Sequence, residues 1–218
     1  MGVSATYPFD IAETDRLLST TRAVRKRLDL DRPVERDVLL DCLRLAVQAP
    51  TMSNSQEWRW IVVTDDAKRE AVAGVYRNLS AAYLEEASKT HEDPQTRRTY
   101  ESAYELSQFM GRVPALVIPC VESSYNIDSG NAVAAAVYGS IIPATWSFQL
   151  ALRSRGLGSV YTTFHLFGAD QVAEILGIPD NVTQVALLPV AYTKGTDFKP
   201  ADRPPVEDVV FWNTWGEH

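Results

Sequence analysis

The sequence predicts a layered domain of helices and strands, of the α/β or α+β class. Segments with apolar residues at helical spacing alternate along the 218 residues with short apolar runs that are typical of buried strands. The clearest runs are ALVIPCV at residues 115–121 and VALLPVAY at residues 185–192. Because the length fits one domain, we expect residues 1–218 to form a single domain with a C-terminal tail at 193–218.

The elements can be placed in order along the chain. Helices are predicted over residues 10–20, 35–48, 66–90, 95–111, 131–155 and 169–176, and strands over residues 60–64, 115–121, 158–163 and 185–192. Asp65 and Asp66 can cap the free N–H groups at the start of the third helix. Gly156 and Gly177 follow the last two helices, where a glycine commonly ends a helix.

Composition argues against several classes of partner. The net charge is −7 and the basic run at residues 25–27 is short, so a nucleic-acid partner is not expected. No apolar run approaches the ~20 residues of a membrane span, and the first 15 residues lack the basic lead and apolar core of a signal peptide. Cys42, Cys120 and the histidines lack metal-ligand spacing. We expect no metal and no membrane partner, and the cysteines indicate two reduced thiols and a cytoplasmic location.

The helix predicted at residues 131–155 is apolar on nearly every side. One face can pack on a sheet, so the opposite face needs another cover. The simplest cover is the same helix of a second chain, which predicts a homodimer; a central helix of a monomer is the alternative. Phe211, Trp212 and Trp215 give the tail three large aromatic anchors, so we expect the tail to wrap the partner chain.

Three polar segments at element boundaries are candidates for one ligand site. They are TRAVR at residues 21–25, APTMSNSQEWRW at 49–60 and YTT at 161–163, with Arg203 in the tail. Arginines with hydroxyls and free N–H groups can hold a phosphate, and the amides of Asn54 and Gln56 match the polar edge of a pyrimidine-like ring. Together the segments favour FMN, although each alone can be an ordinary polar loop. Since GxSxG, P-loop and GxGxxG motifs are absent from the sequence, we expect a cofactor to supply the reactivity.

Motifs in the same order resemble those of the FMN-dependent nitroreductase family. They are TRAVR at 21–25, APTMSNSQEW at 49–58, RGLGSVYTT at 155–163, ALLPVAY at 186–192 and DRPPVEDVV at 202–210. The resemblance covers roughly residues 20–212, and VYTTF is similar to the iodotyrosine dehalogenase-type branch. It implies an α+β nitroreductase-like fold, with a central mixed β-sheet flanked by helices, in an intertwined homodimer whose two FMN sites each use both chains. It also implies ping-pong electron transfer from NAD(P)H through FMN to a flat small-molecule acceptor, such as a nitroaromatic compound or a quinone.

The resemblance assigns roles to the basic residues. Arg22 and Arg203 would hold the FMN phosphate, and Thr21 and Ala23 would lie beside it. Arg25 would lie near the pyrimidine end of the flavin, where negative charge develops on reduction. A fixed cation there favours the reduced form, so Arg25 is expected to tune the flavin. No side chain is assigned as a catalytic acid or base.

The resemblance also assigns roles to the other two segments. Thr51 and Met52, from the other chain, would line the flavin ring. Asn54 and Gln56 would bond to its polar atoms. The hydride-accepting nitrogen of the flavin would accept a hydrogen bond from a backbone or hydroxyl donor at the strand end, in Tyr161, Thr162 or Thr163.

The sequence departs from the family pattern at three positions. Thr21 stands where arginine is usual, Ala23 replaces serine and Glu57 replaces proline. The first two changes are expected to weaken phosphate binding, and they keep open a non-catalytic flavin-binding dimeric module as one alternative. A flavin-fragmenting or dehalogenating member of the same family is another. Trp58 is expected to pack in the core.

Overall fold

The computed structural model describes residues 8–123 and 125–217. Predictions that fall on residues 1–7, 124 and 218 lie outside this part of the chain. The chain divides into two compact units, one of residues 1–22 with 197–218 and one of residues 23–196. The single domain and the tail that wraps a partner stay predictions.

The larger unit is built on an antiparallel sheet. Its strands are β1 (Trp58–Val63), β2 (Ala115–Val121), β3 (Leu157–Ser159), β4 (Thr183–Gln184) and β5 (Leu188–Tyr192). The order is β1-β2-β5-β3, and β4 pairs with β2. All four strand pairs are antiparallel, and an isolated bridge between Ala23 and Ser159 adds a parallel pairing at the β3 edge. The strands thus form an antiparallel sheet where a mixed one was expected, since the parallel pairing is a bridge outside the strands, and the class is α+β.

The described residues form six helices. They are α1 (Ile11–Thr20) in the smaller unit, then α2 (Arg36–Ala46), α3 (Asp66–Thr90), α4 (Pro94–Phe109), α5 (Asn131–Ser154) and α6 (Ala169–Leu176) in the larger unit. The Asp65 carboxylate accepts a hydrogen bond from Lys68 N at 2.9 Å, which confirms the predicted cap of α3. Gly177 ends α6 with a φ of 68°, a conformation that suits glycine.

The core lies where α2 and α5 cover the sheet. All seven residues of β2 are buried, as expected for a central strand. The Trp60 ring on β1 contacts Phe148 of α5, with ring centroids 5.5 Å apart. Trp58 packs against a second cluster around Val137 and Ile141, so it belongs to the core as expected.

Three predicted strands differ from the observed ones at their ends. The strand predicted at 158–163 stops at Ser159, because Thr162 leaves β3 and exchanges two backbone hydrogen bonds with Leu187, of 3.2 and 2.8 Å. For the same reason β5 begins at Leu188 instead of Val185. Val185 N donates instead to Pro119 O, at 2.9 Å. β1 begins two residues early, at Trp58, which pairs with Val121.

One face of α5 lies outside the core. Ala135, Gly139, Ile142 and Trp146 recur at helical spacing and are exposed, Ile142 and Trp146 each to 43%. This apolar face is the one for which the sequence predicts a cover. Across residues 8–123 and 125–217, no helix is long and apolar enough to cross a membrane.

Candidate functional site

A cavity of about 210 Å³ lies between α3, α4 and the segment that follows β3. Arg25 lines it and is half-buried. Within the described residues its guanidinium makes no ion pair or hydrogen bond, and burial lowers its pKa. A charged group removed from water without a partner is costly. Such a group in a cleft is typical of a ligand site.

Tyr76 and Thr162 line the same cavity. Burial raises the pKa of Tyr76, and the Thr162 hydroxyl and the Arg25 charge oppose this shift. Thr162 Oγ1 is buried and lies near Tyr76, but it makes no hydrogen bond with the part of the chain that the structure describes. The cavity therefore holds a second polar group whose bonding is incomplete.

From the sequence, the helical region at residues 76–112 is expected to shape the pocket, and Tyr76 does line the cavity, but it was not singled out as a site residue. Tyr76 and Tyr83 are seven residues apart on α3, so they lie two turns apart on the same face. That spacing was the available signal.

Arg25 is held in place from β3. Val24 N donates to Ser159 O at 2.9 Å, next to the bridge between Ala23 and Ser159. Gln149 of α5 donates to Ser159 Oγ at 3.0 Å, and both side chains are buried. A Cβ on Gly158 would lie 2.9 Å from Val24 Cγ2, so only glycine lets this segment approach so closely.

The loop between α2 and β1 is strained. Ser53, Asn54 and Gln56 have φ values of 49°, 57° and 53°, a region that residues other than glycine rarely adopt. Gln56 N donates to Thr51 Oγ1 at 3.2 Å, and Gln56 Nε2 donates to Asn54 Oδ1 at 3.1 Å. Backbone strain of this kind is concentrated at functional sites.

Ser140 of α5 anchors this loop. Its hydroxyl accepts a hydrogen bond from Met52 N at 2.9 Å, and its carbonyl accepts one from Trp58 Nε1 at 3.0 Å. Sequence reasoning did not identify Ser140. The loop is thereby fixed to the helix whose apolar face is exposed.

The remaining predicted residues lie in the smaller unit. Arg22 Nη1 donates to Lys199 O at 3.0 Å and to Pro200 O at 3.4 Å, which ties it to the tail just before Arg203. Thr21 Oγ1 donates to Leu17 O at 2.6 Å and so completes the end of α1. Arg203 is exposed, and its Nη1 makes a long contact of 3.3 Å to Asp202 O.

The structure brings some of the predicted residues together. Arg25, Tyr161, Thr162 and Thr163 line one cavity. The loop residues Thr51–Gln56 do not line that cavity within a single chain. Burial raises the pKa of Tyr161. Thr162 has two donors, its backbone N–H and its hydroxyl. The N–H donates to Leu187 O, whereas the hydroxyl has no partner within the described residues.

Comparison with known proteins identifies the family. The structure is that of an α+β domain in which Arg25 lines a cavity beside the end of β3. The profile of the nitroreductase family matches residues 18–192, and this chain belongs to the nitroreductase family. The groups of His, Cys, Asp and Glu in the described residues include none that could hold a metal ion.

Several relatives cover nearly the whole chain. The NADH dehydrogenase of Thermus thermophilus is 28% identical, over 96% of this chain and 100% of its own length. The iodotyrosine deiodinase of Thermotoga neapolitana is 26% identical, over 91% of this chain and 97% of its own.

Solved structures share the fold. Oxidized iodotyrosine deiodinase bound to FMN and 3-iodo-L-tyrosine aligns with a TM-score of 0.71 at 24% identity, covering 92% of this chain and 98% of that chain. The FMN-dependent nitroreductase NfnB from Mycobacterium smegmatis, in complex with NADPH, aligns with a TM-score of 0.69 at 21% identity, covering 94% and 100%. The nitroreductase-like fold expected from the sequence is confirmed.

Proposed function

We propose that this protein is an FMN-dependent oxidoreductase that passes two electrons from NAD(P)H to a flat acceptor, a quinone or a nitroaromatic compound. The observation that carries the proposal is the half-buried Arg25 guanidinium, which has no partner among the described residues and lines a cavity with Tyr161–Thr163. Bound FMN would supply a planar ring that accepts a hydride and releases it to the acceptor. The family and the relatives named as NADH dehydrogenase and nitroreductase support this activity.

The residues of the cavity fit such a ring. Arg25 would stabilise negative charge at the pyrimidine end, because a preorganised cation acts strongly where water is excluded. The Thr162 hydroxyl, which is buried and has no partner in the described part of the chain, would donate to a ring nitrogen. Asn54 and Gln56 of a second chain would bond to the polar edge of the ring.

The overall reaction needs one proton from solvent. NAD(P)H, one proton and a quinone give NAD(P)⁺ and a hydroquinone, so two electrons and two hydrogens reach the acceptor. In a ping-pong sequence the oxidised nucleotide leaves before the acceptor binds. The cytoplasmic location stays a prediction.

A homodimer would complete the site. The buried Ser140 that anchors the loop adjoins Gly139 of the exposed apolar face of α5, so pairing of two α5 helices would bring each loop towards the second chain. β1 is an edge strand, and a groove of about 500 Å³ between it and α2 is lined by Leu39, Leu43, Trp60 and other residues. We propose that the tail of the partner chain lies in this groove, with exposed Val209 or Trp212 as an anchor.

Anaerobic reduction tests the function. The purified protein is titrated with FMN and then mixed with NADH or NADPH in a stopped-flow instrument, and the flavin absorbance is followed. We expect one FMN per chain, bleaching by one nucleotide, and return of the colour on adding 1,4-naphthoquinone. Binding of FMN without bleaching by either nucleotide would support a non-catalytic binding module, and failure to bind FMN would refute both.

Reductive dehalogenation is a second candidate. The iodotyrosine deiodinase of Thermotoga neapolitana matches over nearly the whole of both chains, which favours this candidate. The reaction adds two electrons and a proton to an aryl iodide and releases iodide. Release of iodide from 3-iodo-L-tyrosine by the dithionite-reduced protein measures this activity.

A further inference from the structure

The outer wall of the cavity carries a pair of phenols. The hydroxyls of Tyr83 and Tyr100 lie 3.1 Å apart, and either can be the donor. The two rings meet edge to face, with centroids 5.8 Å apart. Because Tyr83 belongs to α3 and Tyr100 to α4, the pair joins both helices beside the cavity, and Tyr100 lines the cavity itself.

The two hydroxyls carry two protons, and the hydrogen bond between them uses only one. A tyrosine is normally protonated at neutral pH. When Tyr83 donates, the O–H of Tyr100 is left without an acceptor in the pair. A hydroxyl that accepts one hydrogen bond is also a better donor in the next.

The rest of the wall is flat and mostly apolar. The Phe164 ring lies between Tyr76 and Tyr83, with centroid distances of 6.0 and 5.8 Å. Phe164 and Tyr76 both line the cavity. Aromatic walls of this kind favour planar ligands.

Charge narrows the choice of ligand. Among the residues that line the cavity, all of them within the described part of the chain, Arg25 is the single charged side chain. A bound ammonium group would find no carboxylate in this lining. An amino-acid zwitterion would therefore bury its ammonium without a partner, which is costly.

We propose that Tyr100 determines the specificity for the acceptor by donating its O–H to an edge oxygen of a planar ring, a quinone carbonyl or a nitro group, and that Tyr83 positions this hydroxyl. The proposal rests on the proposed function, since it names the acceptor that the same site binds. It predicts that halogenated amino acids bind this cavity less tightly than quinones do. Tyr100 and Tyr83 thus have different roles and separate tests.

A binding experiment tests the role of Tyr100. Affinities of the FMN-saturated protein for 1,4-naphthoquinone and for naphthalene, which has the same rings without oxygens, are measured by fluorescence quenching with no electron donor present. Tyr100→Phe is expected to weaken naphthoquinone binding about fivefold to tenfold, the loss typical of one neutral hydrogen bond. Naphthalene binding should not change. Tyr83→Phe, the matched control, should weaken naphthoquinone binding only about twofold, because the Tyr100 hydroxyl remains.

Three results would overturn the proposal. They are unchanged naphthoquinone affinity in Tyr100→Phe, an equal loss for both ligands, or tighter binding of 3-iodo-L-tyrosine than of naphthoquinone to the unaltered protein. Because no nucleotide is present, a protein that passes this test but is not bleached by NADH or NADPH would refute the oxidoreductase and leave the acceptor site standing.

Discussion

The loop at Thr51–Gln56 and the cavity around Arg25 are both polar, but they satisfy their polar groups differently. In the loop, Gln56 bonds to Asn54 and to Thr51, and Met52 N bonds to Ser140. In the cavity, Arg25 has no partner among the described residues and Thr162 Oγ1 is unpaired. Sequence composition alone gives both regions the same appearance.

We infer from this difference that the polar groups of the loop hold the chain in place, whereas the polar groups of the cavity bind a ligand. The hydrogen bonds of the loop all form within one chain, and they hold the amides of Asn54 and Gln56 at a defined position beside α5. The cavity is incomplete in one chain, so a ligand can gain most by pairing with Arg25. If the proposed dimer forms, the loop of one chain and the cavity of the other serve the same cofactor.

Separating the two chains of the proposed dimer should have the largest effect, because it would remove the loop of one chain from the cavity of the other. Gly139 lies on the exposed face of α5, and a Cβ there would meet nothing within 4 Å in the single chain. Gly139→Arg should therefore fold as a monomer, but in a dimer it would bury an unpaired cation at a cost of about 3–5 kcal/mol. We expect loss of the dimer and at least a hundredfold weaker FMN binding, measured by light scattering and FMN titration.

Ala71→Arg is the control for this change, because Ala71 is exposed on α3, away from the proposed interface. It should leave mass and affinity unchanged. A monomeric Gly139→Arg protein that binds FMN as tightly as the unaltered protein would show that each site is built from one chain.

His165 shows whether the lack of a hydrogen-bond partner is by itself enough to identify a ligand-binding residue. It is fully buried, neither ring nitrogen has a hydrogen-bond partner among residues 8–123 and 125–217, and burial lowers its pKa to about 4. It does not line the cavity. The unfolded chain, with a histidine pKa of about 6.5, binds the proton first as the pH falls. The contribution of neutral His165 to the free energy of unfolding is therefore fully present above pH 6.5. It falls by roughly 3 kcal/mol between about pH 6.5 and 4.

Urea unfolding at pH 7.5 and 4.5 measures this loss, with His165→Leu as the comparison. The variant should lose markedly less stability over this range and should bind FMN normally at pH 7.5. Equal losses in the two proteins would mean that His165 is not a buried neutral group. A large change in FMN affinity would place it at the ligand site instead.

Ser140→Ala is a smaller change that acts on the loop side of the comparison. It removes the acceptor of Met52 N and should destabilise the fold by about 1 kcal/mol. Loosening the loop should also weaken FMN binding about fivefold, as measured by titration. Ser154→Ala, on the exposed end of the same helix, should have almost no effect on either quantity. If the two variants bind FMN equally well, the loop does not reach the cofactor.

Much of the fold could be predicted from local sequence signals. β2 and α6 begin and end at the predicted residues, because an apolar run and an apolar periodicity bounded by a glycine are short-range signals. The end of β3 and the start of β5 could not be predicted in this way. They depend on the pairing of Thr162 with Leu187, which are far apart in sequence.

The site shows the same limit. Arg25 and residues 161–163 were identified through motifs, and they do line one cavity. Tyr76 and Tyr100 belong to the region at 76–112 that was expected to shape the pocket, but neither was singled out, because residues on two different helices reach the cavity only after α3 and α4 pack together. The bonding of Arg25 could not be predicted either, since a missing partner is a property of the folded chain.

Two adjacent cations give the most direct test of the central claim, that Arg25 is unpaired because it serves a cofactor. Lys26 is exposed and already pairs with Glu105 at 2.9 Å and with Glu101 at 3.4 Å. Exposed pairs contribute about 0–1 kcal/mol, so Lys26→Ala should change little. The FMN dissociation constant and the two-electron reduction potential of bound flavin are measured for Arg25→Ala and Lys26→Ala. Arg25→Ala should raise the dissociation constant about 10- to 100-fold. It should also lower the potential by about 30 mV or more, which corresponds to about 1.4 kcal/mol. Equal effects of the two substitutions, or an unchanged potential in Arg25→Ala, would contradict the account.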